Sequence, residues 1–156
     1  MPKQDWNINT GTGAAGDVYG LAFTNSQRFT YCLDADLKAY GLGVQQGVRS
    51  DTVKIGANAG QVLGITMRQN VNESATRPGD GTVLLKAGSA QAVMVEGPIQ
   101  VKLKTAITDR TIGVSATGEF GKVDATYIEC TNVTAMKYPA AAGDVIPVMV
   151  YLTPLK

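Results

Sequence analysis

The chain has 156 residues and a mass of 16.4 kDa, with 44% apolar side chains, 17% charged side chains and a formal net charge of +1. This length predicts one domain with a core of ordinary size. The near-neutral charge argues against nucleic acid or an anionic membrane as a partner, and no apolar run is long enough for a spanning helix. Residues 1–7 lack the basic and apolar segments of a secretory signal, so we expect the chain to stay in the compartment where it is made.

The absence of histidine is the strongest constraint on chemistry. Imidazole is the usual general base near neutral pH and a common metal ligand, so Ser-His-Asp, Cys-His and histidine-metal sites are excluded. Cys32 and Cys130 are too far apart in sequence for a redox pair, and we expect buried thiols rather than a disulfide. The sequence predicts no cofactor and no metal site.

Residues 1–16 contain small and polar residues without periodicity, which predicts an extended or flexible N-terminal arm ahead of a β domain over 17–156. Trp6 and Ile8 are unusually apolar for such an arm. Within it, residues 11–16 (GTGAAG) match a dinucleotide-binding pattern, but neither the preceding strand nor the following helix that this pattern needs is indicated.

Eighteen glycines and six prolines spread along the chain favour short strands and frequent turns. Alternation predicts a strand over 28–33, followed by a turn or two of helix between Asp34 and Tyr40. The clearest strand is 99–104, and the run 92–96 ends at Gly97-Pro98, so we predict a hairpin there. Further β runs are predicted over 61–68, 81–87, 111–116, 122–130 and 145–153. The fold class is therefore a single-domain, antiparallel β-sandwich or barrel.

Segments 62–66 (VLGIT) and 111–115 (TIGVS) resemble each other, each with a glycine inside an apolar strand. Such a glycine marks a bulge or the close passage of another backbone. We therefore interpret the pair as two kinked core strands rather than as ligand sites.

Acidic residues offer one alternative of a different class. Asp34 and Asp36 could share a hard cation if Asp124 joined them, although two solvated acids at a turn are the simpler interpretation. Residues 121–127 (GKVDATY) resemble a loop of trimeric dUTP-hydrolysing enzymes, but the Arg-Ser-Gly motif of those enzymes is missing. A carbohydrate-binding β-sandwich would need more aromatic residues than the 6% present.

From Tyr40 to Leu152 the chain resembles the cement or decoration proteins of tailed-bacteriophage capsids. The likeness is carried, in order, by segments 40–47 (YGLGVQQG), 60–68 (GQVLGITMR), 77–80 (RPGD), 93–99 (VMVEGPI), 116–120 (ATGEF) and 140–148 (AAAGDVIPV). Residues 105–110 depart from the family's usual turn, and residues 1–15 show no likeness.

This resemblance implies a structural virion protein, made in the host cytoplasm, that binds the outer surface of an icosahedral shell between major capsid protein subunits. It implies no catalytic residue. Major capsid protein and further copies of the same chain, as a dimer or trimer, are the implied partners. Candidate capsid or self-interface contacts are Trp6, Ile8, Arg68 and Arg77.

Overall fold

A computed structural model describes residues 13–20, 26–69 and 84–152, and these residues contain no helix. The strands are β1 Gln27–Leu33, β2 Gly43–Gln46, β3 Thr52–Ile55, β4 Gly64–Thr66, β5 Ala90–Lys102, β6 Thr111–Val114, β7 Phe120–Gly121, β8 Ile128–Ala135 and β9 Val145–Val150. The all-β fold class is confirmed. In the described part of the chain, no helix is long and apolar enough to cross a membrane.

Strands β1, β3, β2, β4 and β5 follow one another in the sheet, and β1 also pairs with β5, so the five strands close into a barrel. We call these strands the first barrel. The pairings within it are antiparallel except for β1 with β3, where Cys32 and Leu33 run parallel to Thr52 and Val53. Closure leaves few strand edges open to water.

The second half of β5 continues into a sheet with β9, β8, β6 and β7, which we call the C-terminal sheet. This sheet also returns to β5, because Leu103 bridges Phe120 and the Lys104 N–H donates to the Phe120 carbonyl at 2.8 Å. The two halves of the molecule therefore share β5.

The predicted hairpin at Gly97-Pro98 is wrong, because β5 runs without interruption from Ala90 to Lys102. Gly97 has φ +125°, a conformation that glycine adopts easily, and it redirects the strand rather than reversing it. Pro98, which has no N–H, still pairs with Met149 of β9. A glycine-proline pair is therefore compatible with a bend inside a strand as well as with a turn.

The molecule has two hydrophobic cores: a small one inside the first barrel and a larger one that lies mainly in the C-terminal sheet and also receives side chains from the outer face of β4 and β5. Before the bend, Val93 and Val95 face the core of the first barrel; after it, Ile99, Val101 and Leu103 face the larger core of the C-terminal sheet. The odd-numbered residues of this segment therefore face the core of the first barrel before Gly97 and the larger core after it. The alternation predicted over 99–104 is confirmed, since these three side chains are fully buried while Lys102 and Lys104 are exposed.

Other local predictions fail for identifiable reasons. The segment from Asp34 to Tyr40 is not helical, because the N–H and C=O of buried Leu37 pair with Leu85 instead. The strand predicted over 122–130 begins only at Ile128, after a loop. Strands β2, β3 and β7 are too short and too rich in glycine or polar residues to show a clear period.

Both glycines of the repeated strand pattern lie against another chain segment. A Cβ on Gly64 would lie 2.4 Å from the Met94 carbonyl oxygen, and one on Gly113 would lie 2.6 Å from the Tyr127 carbonyl oxygen. The interpretation as core strands with close backbone contact is confirmed.

Residues 13–19 lie along the second half of β5. Gly16 N–H donates to the Gln100 carbonyl at 2.8 Å, and Gln100 N–H donates to the Asp17 carbonyl at 2.9 Å. This segment covers Gln100, which is buried although it lies on the polar face of the strand.

Candidate interaction surface

Arg68 lies where the segment after β4 meets residues 16 and 17. Its backbone N–H donates to the Gly16 carbonyl at 2.8 Å, and its Nη1 lies 3.6 Å from Asp17 Oδ2. The side chain is still 45% exposed, so the guanidinium remains accessible to a partner. The other three residues predicted from sequence, Trp6, Ile8 and Arg77, lie outside the described residues.

The carboxylates considered for a metal site serve separate turns. Asp34 Oδ2 accepts from the Val48 N–H at 3.2 Å, whereas Asp36 Oδ1 accepts from the Ala87 N–H at 3.0 Å. Asp124 Oδ1 accepts two backbone N–H groups that close its own loop, and these hydrogen bonds lower its pKa. No three Cys, Asp or Glu side chains form a metal-binding group in ranges 13–20, 26–69 and 84–152.

Both cysteines are free thiols. Cys130 is buried in the core of the C-terminal sheet, and burial raises the pKa of its thiol to about 11. Cys32 is only half-buried, so the expectation of buried thiols is confirmed for Cys130 and wrong for Cys32.

A groove of about 300 Å³ lies at the end of the C-terminal sheet where β8 and β9 meet. We call it the tyrosine groove. It is lined by Arg110, Thr134, Ala135, Met136, Tyr138, Met149 and Tyr151. Met136, Tyr138 and Tyr151 are large side chains left exposed there, with Tyr151 at 52%.

Backbone pairing positions the segments that line the tyrosine groove. Thr134 and Met149 are register partners on β8 and β9, and the Tyr151 N–H donates to the Asn132 carbonyl at 2.9 Å. The Ala135 N–H donates to the Arg110 carbonyl at 3.0 Å, which ties the preceding loop to the sheet. Tyr, Met and Arg are enriched in protein interfaces, and backbone segments that are already in place lower the entropic cost of binding.

Sequence reasoning missed the tyrosine groove. Its members come from the loop before β6, from the end of β8 and the turn after it, and from the end of β9, so no single segment displays the cluster. The available signal was weak: Tyr151 falls inside the strand predicted over 145–153, and Tyr138 lies between that strand and the one predicted over 122–130, so neither position indicated an exposed aromatic side chain.

A second groove, of about 410 Å³, lies between the two halves of the molecule. Its lining is Asp36, Lys38, Ala39, Leu42, Ile55, Ala116, Thr117 and Glu119. Ion pairs flank it: Lys86 Nζ lies 3.1 Å from Asp36 Oδ2, and Lys104 Nζ lies 3.0 Å from Glu119 Oε1. The hydrogen bond from the Ala87 N–H is the main cause of a lowered pKa at Asp36, and the hydrogen bond from Lys86 lowers it further. The Glu119 carboxylate raises the pKa of Lys104.

The exposed Tyr, Met and Arg side chains on this all-β fold are of the residue types enriched in protein interfaces. The chain belongs to a family of structural phage proteins. The family model described as Structural cement protein (E217 gp24/Pam3 gp6) matches residues 1–151. The match includes residues 1–15, where the sequence analysis found no likeness. No curated protein matches the sequence significantly.

Family membership confirms the resemblance identified from the turn and strand motifs. The protein is therefore a structural cement protein of a phage, with a role in stabilising the capsid and a place in the virion.

Proposed function

We propose that this cement protein binds the outer surface of the capsid at junctions between major capsid protein subunits, and that it has no enzymatic activity. Bound there, it ties neighbouring subunits together and opposes their separation under internal DNA pressure. Nucleic acid and membrane are not partners in this proposal, in keeping with the net charge of +1.

The tyrosine groove is the observation that carries the proposal. Tyr and Arg dominate the binding energy of many interfaces, and such residues contribute most when a partner excludes water from them. Tyr138 and Tyr151 border the groove with Arg110 beside them, and both tyrosine side chains are exposed. An extended loop of major capsid protein would cover both rings and pair with the guanidinium.

Arg68, with Trp6, Ile8 and Arg77, supplies further proposed contacts to the capsid or to another copy. In this proposal the N-terminal arm orders on a neighbouring subunit and buries Trp6 there. The protein also self-associates as a dimer or trimer, because closed symmetric assembly is the usual state of oligomers and cement proteins bridge symmetry axes.

The test uses undecorated shells and purified protein. The double variant Tyr138→Ala/Tyr151→Ala is expected to bind shells at least about tenfold more weakly than the wild type, the effect of losing about 1.4 kcal/mol of binding energy. Val48→Ala is the matched control, since Val48 is exposed on the turn between β2 and β3 and outside the groove. Equal binding by the double variant would exclude the groove, and failure of the wild type to bind would exclude capsid docking.

A further inference from the structure

Within ranges 13–20, 26–69 and 84–152, no strand pairs with β1 between Gln27 and Tyr31 on the side away from β5, and we call this stretch the open edge of β1. Strand β5 pairs with β1 from Gln27 to Cys32. On the other side β3 reaches only Cys32 and Leu33. The four residues from Gln27 to Thr30 are all exposed. The first barrel is thus closed at one end of β1 and open at the other.

The hydrogen bonds at the closed end show which groups point into the opening. The Cys32 N–H donates away from β5, to the Asp51 carbonyl at 2.8 Å, whereas the Leu33 N–H donates towards β5, to the Ser89 carbonyl at 3.0 Å. Backbone groups alternate in direction along a strand. The N–H and C=O groups of Arg28 and Thr30 therefore point away from β5, into the opening.

Phe29 lies between these two residues and is 52% exposed. By the same alternation, its side chain lies on the face of β1 that carries Tyr31 and Leu33. Leu33 belongs to the buried core of the first barrel, and Tyr31 packs against that core. Phe29 thus continues the inward-facing row beyond the point where the barrel covers it.

We propose that two copies of the protein pair through this edge, with antiparallel β1 strands related by a two-fold axis at Phe29. In this register Arg28 of each copy lies opposite Thr30 of the other. These are the residues whose N–H and C=O groups point outwards, so each pair exchanges both hydrogen bonds. The proposal deepens the self-association included in the proposed function by naming its surface.

The same register brings Phe29 of one copy opposite Phe29 of the other. Such a pair has no direct hydrogen bonds and brings the side chains close, which favours aromatic contact. The only charged side chain within the paired segment is Arg28, and it faces a threonine rather than its own copy. The self-complementary pattern favours a second copy over a capsid strand as the occupant of this edge.

Cysteine cross-linking tests the register. Both test variants are made in a Cys32→Ser/Cys130→Ala background, which removes the native thiols. Phe29→Cys places the thiols of the two copies opposite each other, within disulfide distance. In Thr30→Cys the two thiols are offset by about two residues along the paired strands and are too far apart. Mild oxidation is expected to give about tenfold more covalent dimer from Phe29→Cys than from Thr30→Cys. Both proteins are oxidised in solution and on decorated shells, with circular dichroism as the check on folding.

A preference for position 29 in either setting supports the proposal, and equal or no cross-linking in both settings overturns it. Cross-linking of Phe29→Cys to major capsid protein instead would assign the edge to the capsid. Phe29→Glu, which opposes two like charges, is expected to abolish the dimer in solution, whereas Val48→Glu is not. If the wild type fails to bind shells but Phe29→Cys dimerises in solution, capsid docking fails and the pairing stands.

Discussion

The two halves of this protein are built from the same kind of strand but differ in how completely they are closed. The larger core, which lies mainly in the C-terminal sheet but also includes Ile65 and Met94 from strands of the first barrel, contains 18 buried residues, whereas the core inside the first barrel contains 7. Along β5, six register pairs join β9, whereas β3 joins β1 through only two. We infer that the larger core supplies most of the stability and that the first barrel has an edge, on β1, which no described strand covers.

The largest loss of stability is expected from shortening a side chain in the larger core. Phe120 is fully buried and lies at the bridge that closes the C-terminal sheet, so Phe120→Ala should lower the free energy of unfolding by about 3–5 kcal/mol. Leu37→Ala in the first barrel should cost about 2 kcal/mol, because a smaller core with an open edge can collapse around the gap. Urea denaturation measures both. The reverse order would contradict the comparison.

A side chain that joins the two halves should come next. Asn132 of β8 is buried and holds Val62, just before β4, through an N–H donated to its Oδ1 at 3.1 Å and a C=O that accepts from its Nδ2 at 2.8 Å. Asn132→Ala deprives both backbone groups of this partner and should cost about 2 kcal/mol. Thermal unfolding of Asn132→Ala against exposed Asn58→Ala measures this, and equal melting temperatures would show that Asn132 is dispensable.

A methyl group at the contact between β4 and β5 sharpens the same comparison. Gly64→Ala would place a Cβ 2.4 Å from the Met94 carbonyl oxygen, and such overpacking should cost about 1–3 kcal/mol. A Cβ on Gly143 would have no described atom within 4 Å apart from its chain neighbours, but φ is +89°, so Gly143→Ala should cost about 1 kcal/mol from backbone strain alone. A smaller loss for Gly64→Ala than for Gly143→Ala would mean that β4 moves away easily.

The reactivity of the two thiols should reveal the difference between the two halves, and measuring it requires no substitution. Because burial raises the pKa of Cys130 to about 11 from 9.0, its thiolate is about a hundredfold scarcer than in the unfolded chain at pH 8. Iodoacetamide labelling followed by mass spectrometry should modify half-buried Cys32 first and Cys130 only after unfolding. Rapid labelling of Cys130 in the folded protein would contradict the closed core.

The raised pKa of Cys130 also sets the direction in which the free energy of unfolding changes with pH. A raised pKa means that the folded state favours the neutral thiol. The contribution of the neutral Cys130 thiol to the free energy of unfolding is therefore fully present below pH 9.0 and is lost as the pH rises through about 11. Cys130→Ala should remove this alkaline loss, which urea denaturation at pH 8 and pH 10.5 would detect.

Local chemistry in the sequence determined a substantial part of this protein. Side-chain alternation and β-forming composition are properties of a single segment, so the strands predicted over 28–33, 99–104 and 111–116 could be found without knowing their neighbours. They correspond to β1, the second half of β5 and β6. The absence of histidine can also be read from the sequence without any knowledge of the fold, and it excluded the catalytic sites that depend on imidazole. The order of turns and strands also carried the family resemblance, because that order is written along the chain.

Only the tertiary structure decided which strands meet. Gly97-Pro98 satisfies the requirements of both a turn and a bend, and the pairing of β5 with β9 selects the bend. The short strands β2 and β3 gain their stability from neighbours distant in sequence, so no local period announced them. Exposure depends on what covers a residue: Tyr138, Tyr151 and Phe29 have side chains typical of a core, and only the assembled fold leaves them at the surface.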